Sequence, residues 1–240
     1  MITDFENSTN KTDASISNMK KLLLFYAFLS EVVSKTTNLP GIILLLISFF
    51  TFNTNAATYY SRANGNWNNN NTWSLTSGGG AVGAGVFPVA GDIVIVEGGF
   101  SVNINTNSAC ATLQLGNTGN GTINFNSNNC ELVVSGNVTI GAAGGSGTIT
   151  VGGVSATRVL NIGGTVTIGG TATFTKGSGT VILNGNNTLP STVFNNFTNL
   201  TINGGITTLA SNVTVSGALT VKAGATLDLS TYSLSTPTSV

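Results

Sequence analysis

The sequence predicts an all-β protein: a right-handed parallel β-helix or solenoid with an N-terminal cap, preceded by a helical signal peptide. Three observations carry this. A nine-residue pattern with period-two apolar alternation recurs through the second half of the chain. Glycine supplies 31 of the 240 residues while proline occurs 4 times. Charged residues make up 7% of the chain, against about 25% in an ordinary soluble domain. The alternative architecture is a β-sandwich, or two in tandem, but sandwiches carry a more charged outer face and hairpin turns.

Residues 1–57 read as an N-terminal extension and the signal peptide. Met19-Lys20-Lys21 gives a basic start, Leu22 to Leu29 a first apolar patch, and residues 41–52 an apolar block of about a dozen residues. A basic start, an apolar block of roughly 7–15 residues and small residues at the cut describe a secretory leader. Thr54 and Ala56 occupy the small-residue positions, placing the cut after Ala56, or after Ala57 one step later. The alternative is a membrane anchor, for which a spanning helix needs about 20 apolar residues; neither patch reaches that alone. Ordinary leaders start close to their basic residues, so Met19 competes with Met1 as the start. Contact with a membrane is expected only through this segment.

Residues 58–108 read as a cap or leading strands with a Trp-rich head. Tyr59, Tyr60, Trp67, Trp73, Phe87 and Phe100 cluster here. Asn66 to Asn71 and Gly78 to Gly85 read as loops, and 92–96 and 100–104 as the first strands. Trp67 and Trp73 are expected to pack the cap, since buried aromatics supply large apolar area. Their alternative role is a stacking platform for sugar rings.

Residues 109–240 carry the repeat: apolar, any, apolar, any, Gly, any, apolar, Thr, apolar. Copies start at Leu132, Leu160 and Val213, and imperfect ones at Val181, with Asn187 in an apolar place, and Leu200, with Thr208 in another. Period-two alternation means strands with one face buried. The central glycine permits a bend or a close backbone approach. A short unit of this kind cannot bury its apolar face alone and needs neighbours, which is the logic of a solenoid. The copy starts lie 28, 21, 19 and 13 residues apart, leaving the strands per coil undecided. Leu227-Asp228-Leu229 and Tyr232-Ser233-Leu234 still read as repeat strands, so the solenoid is expected to be truncated. Cys110 and Cys130 lie 20 residues apart, close to one coil. In an oxidising compartment this spacing permits a disulfide between stacked coils; the alternative is two small buried residues.

The chain from residue 58 onward resembles the secreted β-strand-repeat surface proteins of Bacteroidota. The resemblance rests on Tyr59-Tyr60-Ser61-Arg62, Gly65-Asn66-Trp67, Thr72-Trp73-Ser74, Pro88-Val89-Ala90-Gly91-Asp92 and Ala109-Cys110-Ala111-Thr112-Leu113, then on residues 194–202 and 212–221. It implies an adhesin-like protein at the outer cell surface, associated with type IX secretion. Members usually finish with a C-terminal sorting domain, a feature this sequence does not display.

Composition excludes several chemistries. A zero net charge, from 8 basic and 8 acidic residues, lacks the basic face that neutralises nucleic-acid phosphates. Without histidine, the commonest general base and metal ligand is missing. The carboxylates after the leader are Asp92, Glu97, Glu131 and Asp228, widely spread, whereas glycoside hydrolysis needs two facing each other. Asp92 and Glu97 read as turn residues. Thr148/Thr150, Thr165/Thr167 and Thr171/Thr173 form Thr-x-Thr pairs of the sort that orders water on a flat face, but without a fixed period. The expectation is a secreted or surface-exposed structural or adhesin-like repeat protein, non-catalytic here, with neither metal nor cofactor. Its expected partners are the remainder of a longer repeat chain and surface glycans. The alternative is a glycan-binding module, or part of a carbohydrate-active β-helix.

Overall fold

Strands with one apolar face need a partner surface, and here each finds it in the next coil rather than in a hairpin. The computed structural model describes residues 56–153, 157–190 and 193–237. The predicted leader lies outside the described residues except for Ala56 and Ala57. Coil one holds β1 (Thr58–Ser61), β2 (Gly65–Asn66) and the short β3 (Trp73–Ser74). Coil two holds β4 (Ile93–Val96), β5 (Phe100–Ile104) and β6 (Ser108–Cys110). Coil three follows with β7 (Thr112–Leu115), β8 (Asn120–Phe125) and β9 (Glu131–Val134), and coil four with β10 (Val138–Ile140), β11 (Ser146–Thr150) and β12 (Val159–Ile162). Coil five is β13 (Val166–Ile168), β14 (Thr171–Thr175) and β15 (Thr180–Leu183); coil six is β16 (Asn187–Leu189), β17 (Asn196–Phe197) and β18 (Asn199–Ile202). Coil seven is β19 (Ile206–Leu209), β20 (Val213–Val215) and β21 (Leu219–Val221), and β22 (Thr226–Asp228) with β23 (Leu234–Ser235) begins an eighth.

This is a parallel β-solenoid of about seven turns. From coil two on there are three strands per coil, whereas coil one contributes only β1 and β2 to the stack; every described pairing is parallel except β1 with β3. That pattern excludes the sandwich. At ~4.8 Å per coil, seven coils rise about 34 Å.

The core is a set of aliphatic rows, one residue per coil. Val94, Leu113, Val138 and Val166 stack on the first face, and Val102, Ile123, Ile149 and Phe174 on the second. On the third, Leu132, Leu160, Val181, Leu200 and Leu219 form one row and Val134, Ile162, Leu183, Ile202 and the exposed Val221 another. Each row buries side chains on both sides of every strand contact, at roughly 1.5–3 kcal/mol for a fully buried aliphatic.

The repeat maps onto a corner, not a coil. The copies at Leu132, Leu160, Val181 and Leu200 each begin on the third face and run around to the first, and their first residues lie in register. The copy at Val213 runs from β20 to β21, one corner out of phase; Leu219, not Val213, pairs with Leu200. This explains its odd spacing of 13. In the Leu200 copy the corner is one residue longer, with Gly205 at φ +65°. Thr207 and Leu209 therefore point inward while Ile206 is 50% exposed, correcting the expectation that Thr208 holds an apolar place.

The corner glycines serve close approach. Gly136 donates its N–H to Ala111 O, and Gly164 donates to Gly136 O. A Cβ on Gly136 would sit 2.7 Å from Ala111 O, and one on Gly164 would sit 2.3 Å from Asn137 Oδ1. Neither has a positive φ, so it is the missing side chain, not the backbone conformation, that selects glycine.

Residues 58–108 prove to be both cap and coil. Their strands β1, β2, β4, β5 and β6 belong to the solenoid, so these residues supply the leading coils from residue 58 on. The Trp-rich head is an excursion between β2 and β4. It folds back so that Trp73–Ser74 pairs antiparallel with β1 and ends that sheet.

The ladders break once, between coils five and six. On the first face β13 and β16 belong to separate sheets, on the second so do β14 and β17, and only the third face runs through. Buried Asn187 bridges the first gap: its Oδ1 accepts the Val166 N–H at 3.1 Å, and its Nδ2 donates to Gly185 O. An aromatic cluster fills the second, with Phe174 and Phe194 stacked at 4.4 Å and Phe197 tilted against both.

Candidate functional site

The tryptophans are structural. Trp67 and Trp73 are 1% and 0% exposed, so no ring face is open to a sugar, which corrects the stacking-platform alternative. They meet edge to face at 5.2 Å, and Tyr59 packs edge-on against Trp73 at 6.4 Å. Each indole N–H is satisfied: Trp67 donates to Pro88 O at 3.0 Å and Trp73 to Trp67 O at 2.6 Å. Arg62 clamps the excursion by donating to Gly79 O and Asn71 O. The head residues thus form the plug that closes the solenoid core. A depression of about 330 Å³ beside it is walled by Trp67, Phe87, Pro88, Val89, Thr106 and Val133, with few polar groups to orient a ligand.

Three of the four carboxylates join parts of the coil stack, and the fourth, Asp228, caps its own turn. Glu97, at the end of β4, is buried; its carboxylate accepts from Ser77 Oγ of the head and from Asn117 Nδ2 of the next coil. Asp92 accepts the Ala57 N–H at 3.0 Å and the Val89 N–H at 2.8 Å. Glu131 accepts from Asn161 Nδ2, and Asp228 from the Ser230 N–H in its own turn. Among the described residues, no group of three or more Cys, Asp or Glu gathers where it could hold a metal.

The two cysteines are free thiols, which corrects the disulfide reading in favour of small buried residues. Cys110 pairs with Val134 across the coils, and Ser108 with Leu132; Cys130 precedes the Glu131 that starts β9. The thiols are offset by four strand positions, ~13 Å at 3.3 Å per residue, beyond the ~7 Å Cα limit for a disulfide. Cys110 fills a place in an aliphatic row, and burial, with the Asp92 charge adding to it, pushes its thiol up to about 12. Cys130 Sγ donates to Ile104 O and Ser127 O, and burial raises its pKa too.

Sequence reasoning missed the asparagines, which it read as loop filler. At six corners an Asn Oδ1 accepts a backbone N–H of the following coil: Asn64 from Ser101, Asn107 from Glu131, Asn137 from Thr165, Asn186 from Ile206, Asn199 from Ala218 and Asn212 from Ser233. A second line runs along the third face, Asn203 donating to Asn184, Asn184 to Asn161 and Asn161 to Glu131. The detectable signal was an Asn close to the central glycine of most copies.

The second face carries the most regular polar surface. Ser101, Thr122, Thr148 and Thr173 form one outward row, and Asn103, Asn124, Thr150 and Thr175 the next. Rows that have no fixed period in sequence are brought into register because loop lengths absorb the differences. Thr165/Thr167 lies on the first face, where Thr167 Oγ1 bonds Thr139 Oγ1. The hydroxyls of Thr148, Thr150 and Thr173, by contrast, have no partner among the described residues. Compared with known proteins, the chain matches no protein-family model, no curated protein and no solved structure.

Proposed function

We propose that this chain is part of an exported, adhesin-like structural protein of the cell surface, in which the solenoid is a charge-poor spacer and catalysis has no part. One observation carries the reading: the residues that chemistry would use are taken up in structural bonds, some between coils and some within the head. Asp92, Glu97 and Glu131 link coils, Arg62 and both indoles hold the head, and the outer faces are Thr, Asn and Ser. Parallel strands bonded on both sides leave few free backbone groups for a protease to engage. The leader-like sequence before Ala57 supports export. The test is mass spectrometry of peptides shaved from intact producing cells. Peptides from residues 57–237 in the shaved fraction are expected; their confinement to the cell interior would refute the reading.

A second reading rests on the hydroxyl rows of the second face. Neighbouring threonines lie ~4.8 Å apart across coils and ~6.6 Å apart along a strand, a flat grid on the scale of the oxygen lattice of ice. Such a face would hold ordered water and bind an ice surface. Slowed ice recrystallisation, lost in Thr148→Tyr with folding intact, is the expected result; unchanged recrystallisation at all concentrations refutes it.

A further inference from the structure

We propose that the chain is processed between Ala56 and Ala57, and that Asp92 is the receptor for the α-ammonium group so created. The inference rests on the export reading above and adds to it the site of the cut and the fate of the new terminus.

Asp92 is a buried carboxylate, 7% exposed, whose two oxygens each accept one backbone N–H, from Ala57 and from Val89. Among the described residues no lysine or arginine pairs with it. Arg62 is held by Gly79 O and Asn71 O, Arg158 by Ser127 O, and Lys176 by Asn196 and Ser216. A buried ion without a countercharge is costly. The donor bonded to its Oδ1 is the nitrogen of Ala57, at 3.0 Å.

That nitrogen is also where the leader pattern ends. Thr54 and Ala56 hold the small-residue positions of a secretory cut. Hydrolysis there adds water across the Ala56–Ala57 bond: hydroxyl goes to the Ala56 carbonyl carbon and hydrogen to the Ala57 nitrogen. With one further proton from solvent the nitrogen becomes an ammonium ion, already facing Asp92. A neutral amide donor is replaced by a charged one, roughly doubling the strength of the bond.

The structure also chooses between the two cuts left open by the sequence. Ala57 O accepts the Ile93 N–H at 2.8 Å, which starts the β1–β4 ladder. A cut after Ala57 would remove this acceptor and the Asp92 contact together. Ala56 is exposed, and a cut after it removes neither.

Residues 54–240 form one compact unit, so chains starting at Ala57 can be compared directly. Three are needed: free-amine Ala57, N-acetylated Ala57 and free-amine Thr58, each also as Asp92→Asn. Acetylation keeps the N–H and removes the charge. It is expected to lower the melting midpoint by ~2–8 °C, and the Thr58 start by at least as much; Asp92→Asn should erase the acetylation effect. The stabilisation should be full below the ordinary α-amine pKa of ~7.7–8.0 and fade as pH rises through the higher value of the paired amine. Equal melting of the free and acetylated chains, or a difference that survives Asp92→Asn, overturns the receptor role. N-terminal sequencing of the exported chain is expected to begin at Ala57. An exported chain beginning at Thr58 overturns this site alone; a chain found only inside, uncut, overturns processing and export together.

Discussion

Asn137 Oδ1 accepts the backbone N–H of Thr165, 28 residues further along the chain, at 2.9 Å. It also accepts the Thr165 hydroxyl at 3.0 Å. At a corner the strands end and the backbone carbonyls turn away, so the next coil's N–H lacks its ladder partner. An Asn side chain places an amide oxygen where that carbonyl would have been, and glycine beside it lets the corners touch. Five other corners repeat the bond from an Asn side chain to the next coil's N–H, which gives these asparagines a structural cause.

Asn137→Ala should therefore cost ~0.5–1.5 kcal/mol in urea unfolding, and Asn137→Asp, which keeps the acceptor, clearly less. Asn137, Asn199 and Asn212 serve different coils, so the triple Ala variant should lose roughly the sum, about 3 kcal/mol. A triple variant as stable as the parent would show that water replaces these acceptors without cost.

Asn187 and Thr207 are paired positions on the first face, and opposite outcomes are expected for them. Asn187→Leu adds apolar bulk but strips Val166 N–H of its acceptor, and should destabilise by ~1–3 kcal/mol. Thr207 Oγ1 is buried with no partner, so Thr207→Val should stabilise, by about 1 kcal/mol. Thermal melts of the two variants check both signs.

The thiol of Cys110 should resist alkylation in the native state at neutral pH and react after denaturation, and reducing agents should leave stability unchanged. Its folded pKa, near 12, lies above its ordinary 9.0. The associated stabilisation is intact below about pH 9 and is lost as pH rises from there toward 12. Cys110→Val should remove that alkaline loss; a loss of the same size in the variant would assign it to other groups.

Trp73→Ala should cost ~3–5 kcal/mol and expose the end of the core, seen as a collapse of the near-ultraviolet circular dichroism. Trp73→Phe keeps most of the apolar area and loses the N–H to Trp67 O, so it should cost less.

The solenoid was legible because period-two alternation with a central glycine survives in every copy, and because charge is nearly absent. Its phase was not. Val213 matches the pattern as well as Leu132 does, since corners between different faces obey the same local sterics, and only the coil-to-coil register separates them. Thr208 was read into the inward place that Thr207 holds, because one extra corner residue inverts the strand's faces. The cysteines show the same limit: a separation near one coil length says nothing about offset along the strand when the loops vary. That Trp67 and Trp73 pack the cap was legible from their large apolar area, but the return path of the excursion that buries them was not.

The most direct test of the coil stack is a cross-link between positions 25 residues apart, Thr148 and Thr173, which are paired on the second face. In a Cys110→Val, Cys130→Ala background, Thr148→Cys with Thr173→Cys should oxidise to a disulfide with the fold retained, because adjacent parallel strands lie within disulfide reach. Thr148→Cys with Thr167→Cys, closer in sequence but on different faces, should stay reduced. Equal oxidation of both pairs, or oxidation of the second alone, would contradict the three-strand coil and everything built on its register.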